Sequence, residues 1–142
     1  MTPTVLRRIV SARISATVTL PLHLEYRLAD PVPIRITLGA CAHRRSWHVA
    51  RDVIAGGLMG GDEVTDHPSG DVLLLPLPGG EVLMGLRSWP HGWLVTVPAA
   101  DLERFLEATL QACPPQREAQ IVGAELDVQC GFFYMTQGGN PA

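Results

Sequence analysis

Short connections between segments of alternating apolar and polar residues constrain the fold of this 142-residue chain more than any other feature. Alternation with a period of two is typical of strands that bury one face. The predicted strands cover residues 10–20, 34–38, 46–50, 71–77, 81–87 and 93–97. Parallel neighbours need a crossover of about a dozen or more residues, so short turns favour antiparallel pairing. The sequence therefore predicts a curved antiparallel sheet.

Two helices are predicted among these strands. Residues 51–58 form a short helix with one apolar face. A longer helix follows Val97 and ends at Pro114-Pro115, because proline cannot continue a helix. Its amphipathic pattern places five residues at helical spacing on one face, namely Leu102, Phe105, Leu106, Thr109 and Leu110. The predicted fold class is α+β, with two strand-strand-strand-helix halves and the helices packed on one side of the sheet.

The chain is predicted to form one domain over residues 1–142, since a chain of this length buries roughly two thirds of its unfolded surface in a single core. The core is predicted to span residues 10–118. Residues 119–142 form a C-terminal segment, for which a helix followed by a tail is one interpretation. The glycine-rich stretch 56–70 is predicted to be a mobile loop.

Composition argues against a nucleic-acid-binding protein. Apolar residues make up 46% of the chain and charged residues 18%, and the formal net charge is −3. Proteins that bind nucleic acid usually carry a basic excess, because phosphate contacts supply most of their non-specific affinity. The apolar surplus favours a well-filled core, and part of it is predicted to face a partner subunit.

Cysteine usage and the lack of a long apolar run predict a cytoplasmic protein without membrane insertion. The three cysteines are widely and irregularly spaced, which fits neither a disulfide framework nor a zinc site. The N-terminal region alternates from Val10 onward and so lacks the apolar stretch of a signal peptide. No run approaches the roughly 20 apolar residues of a membrane-spanning helix.

Catalytic and metal-binding motifs are missing from the sequence. The five histidines are scattered, with no i, i+4 pair on a helix and no carboxylates at ligand spacing. No Gly-x-Ser-x-Gly elbow is present, and no cysteine lies in a nucleophile context. We therefore expect no enzymatic activity, no cofactor and no metal.

One block of residues suggests specific structural roles. Trp47 lies on the strand that leads into a helix, where its ring is predicted to pack in the core and its N–H to need one partner. Arg51 and Asp52 open that helix; Asp52 complements the helix dipole, and Arg51 is predicted to pair with Asp71 across the loop. Gly57 is predicted to end the helix in a left-handed conformation. Ion pairing is favoured over catalysis for these charges.

The same block, with its surroundings, resembles the SsgA-like proteins of actinobacteria, small regulators of sporulation-linked cell division with no known catalysis. The resemblance runs from about Arg13 to Glu118. The residues that carry it are Trp47, Arg51, Asp52, Gly57, Leu58, Gly70, Asp71, Pro76, Leu102, Phe105 and Leu106. No residue is assigned to partner binding, and the subgroup, SsgB-type or a related paralogue, stays open.

The resemblance implies an α+β protein with Whirly-like topology that assembles as a homo-oligomer, by expectation a trimer. It implies a non-catalytic adaptor recruited to division septa, where it recruits the tubulin-like protein FtsZ or controls septal wall synthesis. Its partners would be FtsZ or another SsgA-like protein. The alternative is a Whirly-like regulator that binds single-stranded nucleic acid, with Trp89, Trp93 and the aromatic cluster 132–134 as stacking candidates.

Overall fold

The computed structural model describes residues 4–39, 44–60, 71–88, 91–121 and 123. The strands are β1 (Val5–Arg13), β2 (Thr19–Arg27), β3 (Asp30–Leu38), β4 (Arg45–Ala50), β5 (Val72–Leu77), β6 (Glu81–Ser88) and β7 (His91–Pro98). The helices are α1 (Arg51–Leu58) and α2 (Ala99–Ala112). Residues 115–121 are helical as well.

The strands pair into one seven-stranded antiparallel sheet in the order β4-β3-β2-β1-β7-β6-β5. The two halves meet where β1 and β7 pair at Arg13 and Thr96. The sheet curls, and the α+β class predicted from the sequence is confirmed. Strands β4 and β5 form its two edges.

The first half contains one strand more than predicted. The alternating stretch 10–20 is not a single strand, because β1 ends at Arg13 and β2 starts at Thr19. The Ile14 N–H donates to the Val18 carbonyl oxygen at 2.9 Å and closes a hairpin loop over residues 14–18. This loop contains neither glycine nor proline and keeps the alternating pattern, so the sequence carries no signal of a turn there.

Strand β3 begins at Asp30, four residues before the predicted strand 34–38, and so includes Pro31 and Pro33. The register between β2 and β3 shifts between Tyr26 and Arg27, which is the irregularity that accommodates these prolines. The Tyr26 hydroxyl donates to the Pro31 carbonyl oxygen at 2.9 Å and holds this part of β3 in place.

One face of the sheet forms the core, and both helices cover it. Helix α1 has the predicted bounds, and helix α2 follows β7 directly. Alternate residues of the strands point into the core, among them Val10, Leu22, Leu24, Ile36, Val82, Met84 and Val95. Ile54 of α1 and Leu102 and Phe105 of α2 close the core from the other side.

Several predictions fall on parts of the chain outside the described residues. They concern most of the predicted mobile loop (residues 61–70), the stacking candidates Trp89 and 132–134, and the C-terminal segment from residue 124 onward. Cys41 and Cys130 also lie outside the described ranges, whereas Cys113 is a buried free thiol. In the described part of the chain, no helix combines the length and the apolar character needed to cross a bilayer.

Candidate functional site

The motif residue Arg51 lies in the interior, with its side chain only 1% exposed. Its Nη1 donates to the carbonyl oxygens of Thr109 at 3.0 Å and Cys113 at 2.7 Å. Its Nη2 donates to the Glu118 carboxylate. The last carbonyl groups of a helix have no partner within the helix and carry partial negative charge. Arg51 therefore caps the C-terminus of α2 and ties α1 to the segment that follows α2.

The predicted pair of Arg51 with Asp71 is wrong. Asp71 is exposed directly before β5, and its carbonyl oxygen accepts a hydrogen bond from the Arg87 N–H at 2.7 Å. The Arg51 guanidinium instead lies over the Tyr26 ring, 5.3 Å from its centroid. Burial raises the pKa of Tyr26, so its hydroxyl stays protonated as a hydrogen-bond donor. Glu118 is 67 residues from Arg51, which is why local sequence reasoning missed it.

Trp47 is 6% exposed, and its Nε1 donates to the Arg87 carbonyl oxygen at 2.7 Å. This bond joins edge strand β4 to β6 across the core, although four strands separate them in the sheet order. Trp47 therefore holds the curl of the sheet closed. Asp52 is exposed in the first turn of α1, and His48 is exposed on the face of β4 opposite to Trp47.

Gly57 does not end α1 in a left-handed conformation; the positive φ near this end, 76°, belongs to Gly60. Gly57 lies within α1 and faces β5, where an added Cβ would be 2.6 Å from the Leu74 Cβ. Glycine is required here because helix and strand approach closely. Local spacing could not distinguish this role from that of a helix end.

The remaining motif residues also lie within the fold or along its edge. Leu102 and Phe105 are buried in α2, and Leu58 and Leu106 pack against the core. Pro76 is exposed on edge strand β5, where its missing N–H costs no hydrogen bond within the sheet. Gly70 lies outside the described residues. The motif therefore does not assemble into an exposed site in the described structure.

The candidate binding surface is the face of the sheet that the helices leave uncovered, here called the outer face. Over the second half of the sheet it carries the apolar patch, defined as Leu73, Leu75, Leu83 and Leu94. Leu73, Leu75 and Leu94 are 40%, 52% and 65% exposed. Leu75 pairs with Leu83 across β5 and β6, and Gly85 pairs with both Leu73 and Leu94, so the four leucines are neighbours.

Over the first half of the sheet, the outer face carries a polar depression of about 730 Å³, here called the basic groove. The groove is defined by Arg7, His23, Glu25, Arg35, Thr37 and Arg44. Arg7 and Arg27 both bind the Glu25 carboxylate, and the hydrogen bond from Arg27 is the largest cause that lowers the pKa of this carboxyl group. The groove therefore combines an ionised glutamate with several arginines.

Within the described ranges, no group of three His, Cys, Asp or Glu side chains could hold a metal ion. Cys113 is buried in the core, and its carbonyl oxygen accepts a hydrogen bond from Arg51. The outer face therefore consists of an exposed apolar half and a charged half.

Comparisons with known proteins give a consistent result. A family model described as Streptomyces sporulation and cell division protein, SsgA, matches residues 20–118. Among curated proteins, no relative matches significantly. A solved structure of SsgB, from work linking SsgB mutations to longitudinal cell division during sporulation of Streptomyces coelicolor, is similar with a TM-score of 0.70 and 29% identity. The match covers 85% of this chain and 98% of that chain.

A second solved structure, an SsgA-like sporulation-specific cell division protein from Thermobifida fusca, is similar with a TM-score of 0.69 and 22% identity. The match covers 91% of this chain and 96% of that chain. At this identity, the similarity supports the fold alone. Because the family model covers residues 20–118, which include both helices and most of the sheet, the chain belongs to the SsgA family of sporulation and cell division proteins.

Proposed function

We propose that this protein is a non-catalytic adaptor in sporulation-specific cell division that acts through protein contacts at the division septum. Family membership and the likeness to SsgB support a role in sporulation-linked division. The observation that carries the adaptor role is the outer face, whose exposed leucines and arginines have no catalytic grouping beside them in the described structure. The motif residues, in this proposal, maintain the fold.

The apolar patch supports assembly of the chain into a homo-oligomer, which we propose to be a trimer. Exposed leucines that are neighbours across three strands are typical of a surface that another subunit covers. Symmetry would then repeat each partner-binding surface, so modest affinities add through effective concentration. The proposed partners are FtsZ or another SsgA-like protein.

Replacing Leu75 and Leu94 together with serine is expected to shift the protein from trimer to monomer, because the variant removes apolar area that only a second subunit buries. Light scattering coupled to size exclusion measures the mass. Ile9→Ser is the matched control, since Ile9 is 66% exposed on the outer face but lies outside the apolar patch. A monomeric native protein at tens of micromolar would contradict the proposal, as would a Leu75/Leu94 variant that stays trimeric.

Binding to FtsZ is expected when the full chain is mixed with assembled FtsZ filaments and centrifuged. The protein should appear in the pellet with filaments and stay in the supernatant without them. A parallel pull-down with a second SsgA-like protein tests the other proposed partner. Absence of binding to both would count directly against the adaptor role.

A further inference from the structure

We propose that the basic groove binds an extended acidic peptide segment of a partner protein. The inference rests on the proposed function only in taking the partner to be a protein. It adds to that function the chemistry of the partner segment that is bound. The groove is separate from the apolar patch, because it lies on the other half of the outer face.

The first argument is the balance of charge across the strands. Arg7, Glu25 and Arg35 are direct cross-strand neighbours on β1, β2 and β3. Glu25 Oε2 is 3.1 Å from Arg7 Nε, and Glu25 Oε1 is 2.8 Å from Arg27 Nε. Both oxygens of the glutamate are therefore already bound to other arginines. In the described part of the chain, no carboxylate lies within 4 Å of the Arg35 guanidinium, which is exposed.

The second argument is the position of Arg44, a further exposed arginine that lines the same groove. It directly precedes Arg45, which pairs with Leu38 at the end of β3. Arg44 therefore lies about four residues from Arg35 along the strand direction, or about 13 Å at 3.3 Å per residue. Carboxylates on alternate residues of an extended peptide recur about every 7 Å, so two of them can reach both arginines.

The third argument is the surface around these cations. Thr37 Oγ1 and Ser46 Oγ are 3.0 Å apart between the positions of Arg35 and Arg44, and offer hydroxyl groups to a bound backbone. A second depression of about 330 Å³ shares Glu25 and Arg35 with the groove and extends it toward His48. The polar surface is therefore long enough to accept several residues of peptide.

An acidic peptide fits this groove better than nucleic acid does. Single-stranded nucleic acid is bound by aromatic side chains that stack on bases, and the described residues that line the groove include no Phe, Tyr or Trp. Arginine binds carboxylates in a planar, two-pronged geometry, which suits separated acidic side chains. The groove is positive although the chain as a whole carries a net charge of −3.

The test measures fluorescence anisotropy of a labelled eight-residue peptide of alternating glutamate and serine, titrated with the full chain in 25 mM NaCl. We expect saturable binding that weakens at 200 mM NaCl. The same peptide with glutamine in place of glutamate should show no binding. The double variant Arg35→Ala/Arg44→Ala should bind the acidic peptide at least tenfold more weakly. Both positions are exposed, so the variant is expected to fold like the native protein.

The matched control is Arg104→Ala/Arg117→Ala, which changes the net charge equally at exposed positions outside the groove. It should bind the acidic peptide within twofold of the native protein. Equal weakening in both variants would overturn the proposal, as would absence of binding at 25 mM NaCl. Tighter binding of a single-stranded oligonucleotide that is lost in the Arg35/Arg44 variant would overturn it in favour of nucleic acid.

The outcome is separable from that of the proposed function. If the protein binds the acidic peptide but neither FtsZ nor a second SsgA-like protein, the groove proposal is retained and the proposed partners are rejected. The Arg35/Arg44 variant could instead pellet with FtsZ as the native protein does, while the acidic peptide does not bind. That result would retain the adaptor role and reject peptide binding by the groove.

Discussion

Replacing Arg51 with methionine is expected to lower the free energy of unfolding by about 3–5 kcal/mol, the typical loss when one partner of a buried ion pair is removed. The variant leaves the Cys113 carbonyl oxygen without the Arg51 donor and Glu118 without its cation. The Thr109 carbonyl oxygen loses one of its two donors and keeps the Cys113 N–H. The contact with the Tyr26 ring is also lost. Helix α2 would then lose the cap that fixes its C-terminus against α1.

Urea unfolding monitored by circular dichroism measures this effect. Arg104→Met is the matched control, because the Arg104 side chain is 65% exposed and its replacement should change stability by less than about 1 kcal/mol. Glu118→Gln and the double variant complete a cycle, and the coupling between the two positions should exceed 1 kcal/mol. An Arg51 variant as stable as the Arg104 control would refute the capping role.

Replacing Gly57 with alanine is expected to destabilise the protein by about 2 kcal/mol or more, although alanine is the better helix former by about 1 kcal/mol. The new Cβ would lie 2.6 Å from the Leu74 Cβ and 2.8 Å from its Cδ1. The Cβ of Leu74 is fixed to the backbone of β5 and cannot turn away. Relief therefore requires α1 to move off the sheet, which opens the core around Ile54.

Thermal and urea unfolding of Gly57→Ala and Gly85→Ala provide a matched comparison. An added Cβ at Gly85 would lie 3.5 Å from the Leu73 Cβ and 3.6 Å from the Leu94 Cδ2, which is ordinary van der Waals contact. Gly85→Ala should thus be neutral or stabilising by up to about 1 kcal/mol, through the lower entropy of the unfolded chain. Combining Gly57→Ala with Leu74→Ala should give only partial relief, because the Leu74 Cβ remains. A Gly57 variant as stable as the native protein would contradict the close approach.

The elements predicted correctly are those whose signals are local. Helix α1 was predicted with its observed bounds, and the antiparallel pairing of β5 and β6 was predicted from the short connection between the alternating segments 71–77 and 81–87. Gly79 and Gly80 both have positive φ, as glycine in a tight turn allows. The hairpin between β1 and β2 was missed because residues 14–18 alternate like the strands on either side and contain no turn-forming glycine or proline.

The apolar patch and the basic groove of the outer face could not be predicted from local sequence patterns. Leu73 and Leu94 are far apart in the chain, and they become neighbours only through their pairing with Gly85. The basic groove likewise depends on the register that places Arg7, Glu25 and Arg35 side by side. An overall charge of −3 conceals this local positive surface.

The amino-acid sequence by itself determined the α+β class, the antiparallel pairing and the two helices, because periodicity and turn residues act over only a few positions along the chain. The tertiary structure alone decided that Arg51 caps α2 rather than pairing with Asp71. It also decided that Gly57 allows the close approach of α1 to β5 rather than ending α1. Both outcomes depend on groups that folding brings within a few ångströms, Glu118 in one case and Leu74 in the other. Such contacts have no signature in local spacing, since the partner is chosen by how the helices and the curled sheet pack together.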